Sequence, residues 1–441
     1  MNPILRALVF TTKKPMSTRC LLSARRVFGV GLLALAVSPA RAAEPLDERE
    51  ATRRVCAAGP GANIARAQRL RGDADVTVAA VLPNPSIVVE HQRSLTGPTE
   101  RETIIGLSVP LGIGGRRFLL QDAALERQRQ ALAEAEDTLF ESALAFREAY
   151  AHAVAEHARV ELLSERQALL EALSTTIQGL AKGGEAAGYD LLRQQAQVRL
   201  HKCALESARA RANALRTSLE AWVDAALSFA PSGVDQDELA LRADDKAGSQ
   251  GLASARVRGL EAGARASVLE ARAAARKWVP DLDVFAGYRQ LTTGPATGHG
   301  LSLALSLPVT FFDHGQGDAA RADAEREIAL ATAATLRREQ RVQNESLRAL
   351  IAGLATALKS AEEASAQAAE VEAKAQKLYA AGEASITELL EAFRGAEESQ
   401  LAKLALEEEV GAARIQRMRA AGSLLDASLD RACRGAKGRG P

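Results

Sequence analysis

The chain has 441 residues, a formal net charge of +1, 25% charged residues and 4% aromatics. Its length would hold two or three ordinary domains, but abundant alanine with so few aromatics is the profile of long helices meeting along thin, close-packed seams. Without a basic tract beyond the termini, nothing in the charge distribution points to nucleic acid as a partner.

Residues 1–42 read as an export signal. Arg19, Arg25 and Arg26 precede an apolar run from Val27 to Val37, and Ala40-Arg41-Ala42 has the small-x-small form of a cleavage site. The mature chain is expected to begin near Ala43. Met16 offers a second start, and Arg25-Arg26 allows a twin-arginine route beside the ordinary secretory one. No later segment approaches the apolar length of a transmembrane helix, so any passage through a membrane would use strands.

The mature sequence repeats itself. Leu107-Ser108-Val109-Pro110 matches Leu305-Ser306-Leu307-Pro308, and the Gly184-Glu185-Ala186 region matches Gly382-Glu383-Ala384 at the same offset. This divides the chain into a first repeat at 43–230, a polar linker at 231–250, a second repeat at 251–425 and a flexible tail at 426–441.

Each repeat presents the same elements in order. Helical runs at about 46–76 and 250–277 lead to Pro85 and Pro280, and two strands follow each proline. In Leu301-Ser302-Leu303-Ala304-Leu305-Ser306-Leu307 every leucine falls on one face. Its counterpart places Thr103, Ile105, Leu107 and Val109 together, with Ile104 the exception on the polar face. The partner strands, about Ser86 to Leu95 and Leu282 to Leu291, turn back at Thr96-Gly97-Pro98 and Thr293-Gly294-Pro295. All four have the length of tilted bilayer-crossing strands. Four strands cannot close a barrel in lipid, so closure requires several chains.

Proline-free segments then run from about Arg116 to Lys182 and from about Gln316 to Ala381. As single helices each would extend roughly 100 Å. Leu132, Leu139, Phe146, Ala153 and Val160 recur every seventh residue, as do Leu163, Leu170 and Ile177, the spacing of a left-handed coiled coil. Gly183-Gly184 and Gly382 break these helices, and the chain returns through Asp190–Phe229 and Ser385–Leu425.

Chemistry finds little foothold. His91, His152, His157, His201, His299 and His314 form no metal-ligand spacing, and Gly112-x-Gly114-Gly115 lacks the lysine of a phosphate loop and reads as a bend after a strand. The helical carboxylates read as solvated faces. No catalytic, cofactor-binding or metal-ligating residue is expected, and no cofactor. Cys56, Cys203 and Cys433 remain in the mature chain, either as free thiols or with two of them bridged.

Several motifs resemble the outer-membrane factor, or TolC-like, channel family. They are Leu82-Pro83-Asn84-Pro85, Gly106-Leu107-Ser108-Val109-Pro110 followed by Gly114-Gly115-Arg116-Arg117, and Trp278-x-Pro280. Leu307-Pro308 with Phe312-Asp313-His314-Gly315-Gln316-Gly317 and Tyr379-x-x-Gly382-Glu383 complete the set. The resemblance implies a mainly α fold with membrane β: a homotrimer whose four-stranded contributions close a twelve-stranded barrel and whose helices form a periplasmic tunnel. It further implies an exit duct in the outer membrane, surrounded by its lipid, that serves an inner-membrane resistance-nodulation-division pump through a periplasmic membrane-fusion adaptor. The motifs flanking the strands are most similar to the heavy-metal subgroup; a type I secretion or drug-efflux duct is the alternative. A reading from another class is a periplasmic coiled-coil scaffold. On the duct reading, Gly183, Gly184, Glu185, Tyr379, Gly382 and Glu383 are expected at adaptor-docking tips. Pro85, Pro110, Gly114, Gly115, Pro280, Pro308, Asp313 and Gly317 are expected at the junctions of barrel and tunnel.

Overall fold

The structure is a computed structural model that describes residues 46–97, 100–182, 188–229 and 254–424, together with Leu429 and Cys433. The export signal, the first tip at 183–187, the linker at 231–250 and most of the tail lie outside the described residues.

The first repeat opens with α1 (Glu48–Ala58) and α2 (Pro60–Ala80). A single helical run was expected here, and Gly59-Pro60 divides it. Pro60 has no N–H to continue the ladder, and Gly59 is extended, with no room for a Cβ, which would lie 2.6 Å from the Val55 carbonyl oxygen. Strands β1 (Ser86–Arg93) and β2 (Glu100–Leu111) follow, then α3 (Arg116–Lys182) and α4 (Gly188–Val223). The second repeat runs α5 (Ala255–Ala275), a 3-10 turn at Arg276–Trp278, β3 (Leu282–Thr293), β4 (Ala296–Ser306), α6 (Gln316–Ala380) and α7 (Ile386–Ala421). Strand β4 begins earlier than expected because Gly294-Pro295 alone makes the turn. Thr293 already pairs with Ala296, and Gly294 takes the positive φ of +60° that such a tight hairpin demands.

The two hairpins join into one antiparallel sheet, ordered β1-β2-β3-β4, through direct pairing of β2 with β3. The duplication therefore meets itself at the sheet centre, and β1 and β4 are left as edges. Gly106 sits opposite Gly287 because the Phe285 ring lies over both. A Cβ on either glycine would fall 2.6 Å from that ring.

The helices pack as the seven-residue spacing requires. Leu139, Phe146, Ala153, Leu163, Leu170 and Ile177 of α3 are all buried, as are Ile351, Leu354 and Leu358 of α6. Leu132 departs from the pattern and is exposed. Helix α5 lies against both α3 and α6 through a face of small residues that includes Gly259, Ala262, Gly263 and Ala266. At the base of the first repeat, Leu46 and Leu227 form a parallel bridge over a core containing Val55, Phe146, Tyr150, Leu219 and Phe229. The Tyr150 hydroxyl donates to the Ser228 carbonyl at 2.5 Å, and burial, ahead of the nearby Glu48 and Asp47 charges, pushes its pKa up to about 12.

Cys56 and Cys433 are disulfide-bonded, with their Cα atoms 5.1 Å apart, while Cys203 is free and exposed. Leu429 and Cys433 are buried with Ala143, Leu144, Ile415 and Leu424. At these two positions the chain is anchored, which corrects the expectation of a loose tail there. Leucine burial and the bridge to α1 are the physical reasons.

Candidate functional site

The sheet divides its residues by chemistry. Register places Ile87 and Val89 of β1 beside Leu107 and Ile105 of β2, and continues through Ala286 and Tyr288 of β3 to Leu303 and Leu301 of β4. Val109, Val284 and Leu305 extend the same face. The opposite face carries Glu90, Glu102, Ser108, Asp283, Arg289, Ser302 and Ser306, with an Arg289–Glu102 ion pair at 2.5 Å. Ile104 lies on this face too, between Glu90 and Arg289, and the register also places Val88 and Leu291 there.

Among the described residues nothing covers the apolar face. Leu301, Leu303 and Leu305 are 86%, 79% and 73% exposed, and Ile87 is 75% exposed. A half-buried hairpin of a water-soluble domain would have these residues packed, so a contiguous bare apolar face marks a surface made for another phase or partner. Aromatic residues cluster where the strands meet the helices: Phe118, Trp278, Phe311 and Phe312 are all exposed there, the placement favoured at a membrane–water boundary.

The residues expected at the junctions lie close to the points where strand and helix meet. Pro85 immediately precedes β1, Pro280 follows the 3-10 turn, and Pro308 follows β4. Pro110 is the penultimate residue of β2, opposite Asp283, where a missing N–H costs little. Gly114 packs against Val279, and Gly115 takes a φ of +65° just before α3. In the second repeat the glycine that matters is Gly315, not Gly317. Gly315 has a φ of +93°, and a Cβ there would lie 2.0 Å from the Ala274 carbonyl oxygen, whereas a Cβ on Gly317 would meet nothing. The matching position of Gly115, directly before the long helix, is the signal that could have identified it.

Asp313 holds this junction. Its carboxylate accepts from Lys277 Nζ at 2.6 Å and from the Gly315 N–H at 3.0 Å. The Lys277 hydrogen bond, and then that of Gly315, draws the Asp313 pKa below its ordinary value. The same Asp313 hydrogen bond raises Lys277. Lys277 also reaches Asp318, at 3.5 Å, in the first turn of α6.

Of the tip residues, Gly183, Gly184 and Glu185 lie outside the described residues. Tyr379, Gly382 and Glu383 form a complete helix-ending turn: the Gly382 N–H donates to the Tyr379 carbonyl at 3.0 Å and the Glu383 N–H to the Leu378 carbonyl at 2.9 Å. Gly382 takes the positive φ of +75° that this motif needs. Ser385 then starts α7 in a capping box with Glu388, whose carboxylate accepts from the Ser385 N–H at 2.7 Å. Turn chemistry thus explains the glycine.

A buried polar layer above the tips escaped the sequence. Arg166 of α3 donates through Nη1 to both Glu372 oxygens, at 2.6 and 2.7 Å, and through Nη2 to Gln400 of α7 at 2.9 Å. Nearby, His201 of α4 meets Gln167 of α3 at 3.0 Å and Glu397 of α7 at 3.2 Å. Glu372 is buried, which corrects the reading of all helical carboxylates as solvated. Its spacing along α6 resembles that of its exposed neighbours, so only the partner identifies it. These contacts tie the helical hairpin of the first repeat to that of the second. Among the described residues, no group of three or more His, Cys, Asp or Glu side chains is placed to hold a metal ion, and no helix is long and apolar enough to cross a membrane.

A membrane-type sheet of four strands continuous with two long helical hairpins defines the fold of the outer-membrane channels. Solved structures agree. VceC from Vibrio cholerae superposes with a TM-score of 0.68 at 14% identity, covering 86% of this chain and 97% of that one. OprN gives 0.69 at 16% identity over 85% and 90% of the two chains. The open state of MtrE from Neisseria gonorrhoeae gives 0.67 at 14% identity over 86% and 89%. At such identities the likeness establishes the fold. No family model and no curated protein matches the sequence.

Proposed function

We propose that three copies of this chain close a twelve-stranded barrel in the outer membrane and extend their helices into the periplasm as a tunnel. The assembly is a passive exit duct of a tripartite efflux system, fed by an inner-membrane resistance-nodulation-division pump through a periplasmic membrane-fusion adaptor. One observation carries this reading: a four-stranded sheet, apolar and bare on one face and charged on the other, with both edges β1 and β4 open. Open edges in lipid leave N–H and C=O groups unsatisfied, and neighbouring copies supply the pairing. The polar face then lines a water-filled lumen. A coiled-coil scaffold has no use for such a sheet.

Fractionation and native mass measurement test the proposal. Trimers that change mobility on heating and reside in the outer membrane support it, and a monomer in the soluble periplasmic fraction overturns it. The adaptor is assigned to the tips, including Gly184 and Gly382. Bulky replacements at both should abolish export while trimers still form, and unchanged export removes the tips from the docking site. Heavy-metal cations are the proposed cargo, supported by the Pro83-Asn84-Pro85 and Phe312-Asp313 motifs; metal sensitivity of a deletion strain, with drug tolerance unaltered, is the corresponding test.

A further inference from the structure

We infer that the rim of the apolar sheet face binds the phosphorylated headgroup of an outer-leaflet lipid. The inference rests on the reading of that face as lipid-exposed. Arg93 of β1 and Arg101 of β2 are direct cross-strand partners, and both are exposed. Like charges so placed repel, and no ion pair to a carboxylate forms at either arginine among the described residues.

Strand alternation puts both guanidinium groups on the side of Ile87, Val89, Ile105 and Leu107. The carboxylates of the same rim, Glu90, Glu100 and Glu102, fall on the opposite face, where Glu102 is paired with Arg289. Charge at this rim is thus divided across the thickness of one sheet: Arg93 and Arg101 lie toward the apolar side, and the carboxylates, with Arg289, toward the other. One row below the arginines, His91 meets Thr103 at 2.9 Å, and His299 stacks on Tyr288 with a hydrogen bond between the side chains. The next row is Val89, Ile105, Tyr288 and Leu301, where the apolar band starts. Cation, then polar ring, then aliphatic is the order in which a phosphorylated lipid presents phosphate, glycerol or sugar, and acyl chain. Two guanidinium forks side by side suit a phosphate dianion.

A second copy of the chain does not supply the missing anion. The edge it would bring against β1 is β4, and Ala296–Ser306 contains no carboxylate.

The test uses the full chain purified in mild detergent, incubated with diphosphorylated lipid A, with the same glycolipid after phosphatase treatment, or with phosphatidylethanolamine, and read by native mass spectrometry. The wild type should hold the phosphorylated glycolipid at least about tenfold more tightly than its dephosphorylated form. An equal concentration of inorganic phosphate should not displace it. The Arg93→Gln/Arg101→Gln chain should lose that preference while binding the neutral lipids as before, and Arg348→Gln on α6 should behave as wild type. Equal retention of the two glycolipids by the wild type, or a preference that survives in the double variant, overturns the inference and leaves the duct reading standing. Failure to retain any lipid removes the bilayer surface and both conclusions with it.

Discussion

Arg166 on α3 grips both carboxylate oxygens of Glu372 on α6, at 2.6 and 2.7 Å, in a nearly dry seam between the two repeats. Removing one partner strands the other charge in the seam. Arg166→Met or Glu372→Leu alone should destabilise the helical region by about 3–5 kcal/mol, and the double substitution by far less. Denaturant midpoints of the four chains would check this. Additive losses would mean that the two residues act independently.

Gly315 and Gly317 should separate cleanly. Gly315→Ala places a Cβ against the Ala274 carbonyl at a positive φ and should cost at least about 2 kcal/mol, lowering the yield of assembled protein. Gly317→Ala meets open space in the first turn of α6 and should be neutral or slightly stabilising. Thermal midpoints of the two variants give the comparison.

The Cys56–Cys433 bridge joins positions 377 residues apart in sequence. Cys56→Ser/Cys433→Ser should lose about 2–5 kcal/mol. A reductant should lower the melting midpoint of the wild type toward that of the double variant and leave the variant unmoved. In the oxidised native protein Cys203 should be the thiol that reacts with a water-soluble maleimide.

His157 stacks on Phe229 at 5.0 Å between centroids, with the Arg216 guanidinium over the same ring. Burial, and then the Arg216 charge, lowers the His157 pKa from its ordinary 6.5. Because the folded value is depressed, this group's contribution to stability is complete above 6.5 and is lost as pH falls through the lowered value. His157→Gln should flatten that part of the stability–pH curve, measured by denaturant midpoints from pH 7.5 down to 5.

Much of the architecture was legible in the sequence because its signals are local and periodic. Alternating Leu301, Leu303 and Leu305 identified a strand with one apolar face, and the spacing from Leu139 to Phe146 to Ala153 identified the seam. Gly382 announced a helix end through the φ that only glycine adopts cheaply. What stayed hidden depends on pairing across the fold. Phe285 looks like one more alternating residue until its ring is found over Gly106 and Gly287, some of them far away in sequence. Glu372 looks like its exposed neighbours until Arg166 reaches it, and Cys56 carries no local sign of Cys433. The outward direction of Arg93 and Arg101 needed the register.

A sheet that separates lipid from a water-filled lumen must give adjacent residues of β4 opposite access to water. Leu303→Cys and Ser302→Cys are placed singly in a Cys203→Ser chain reconstituted in bilayers and exposed to a water-soluble maleimide. The predicted result is labelling at 302 and protection at 303, with the pattern repeated at Ala304→Cys and Leu305→Cys. Equal labelling at 302 and 303 would contradict a sheet with one face in lipid and the other in water.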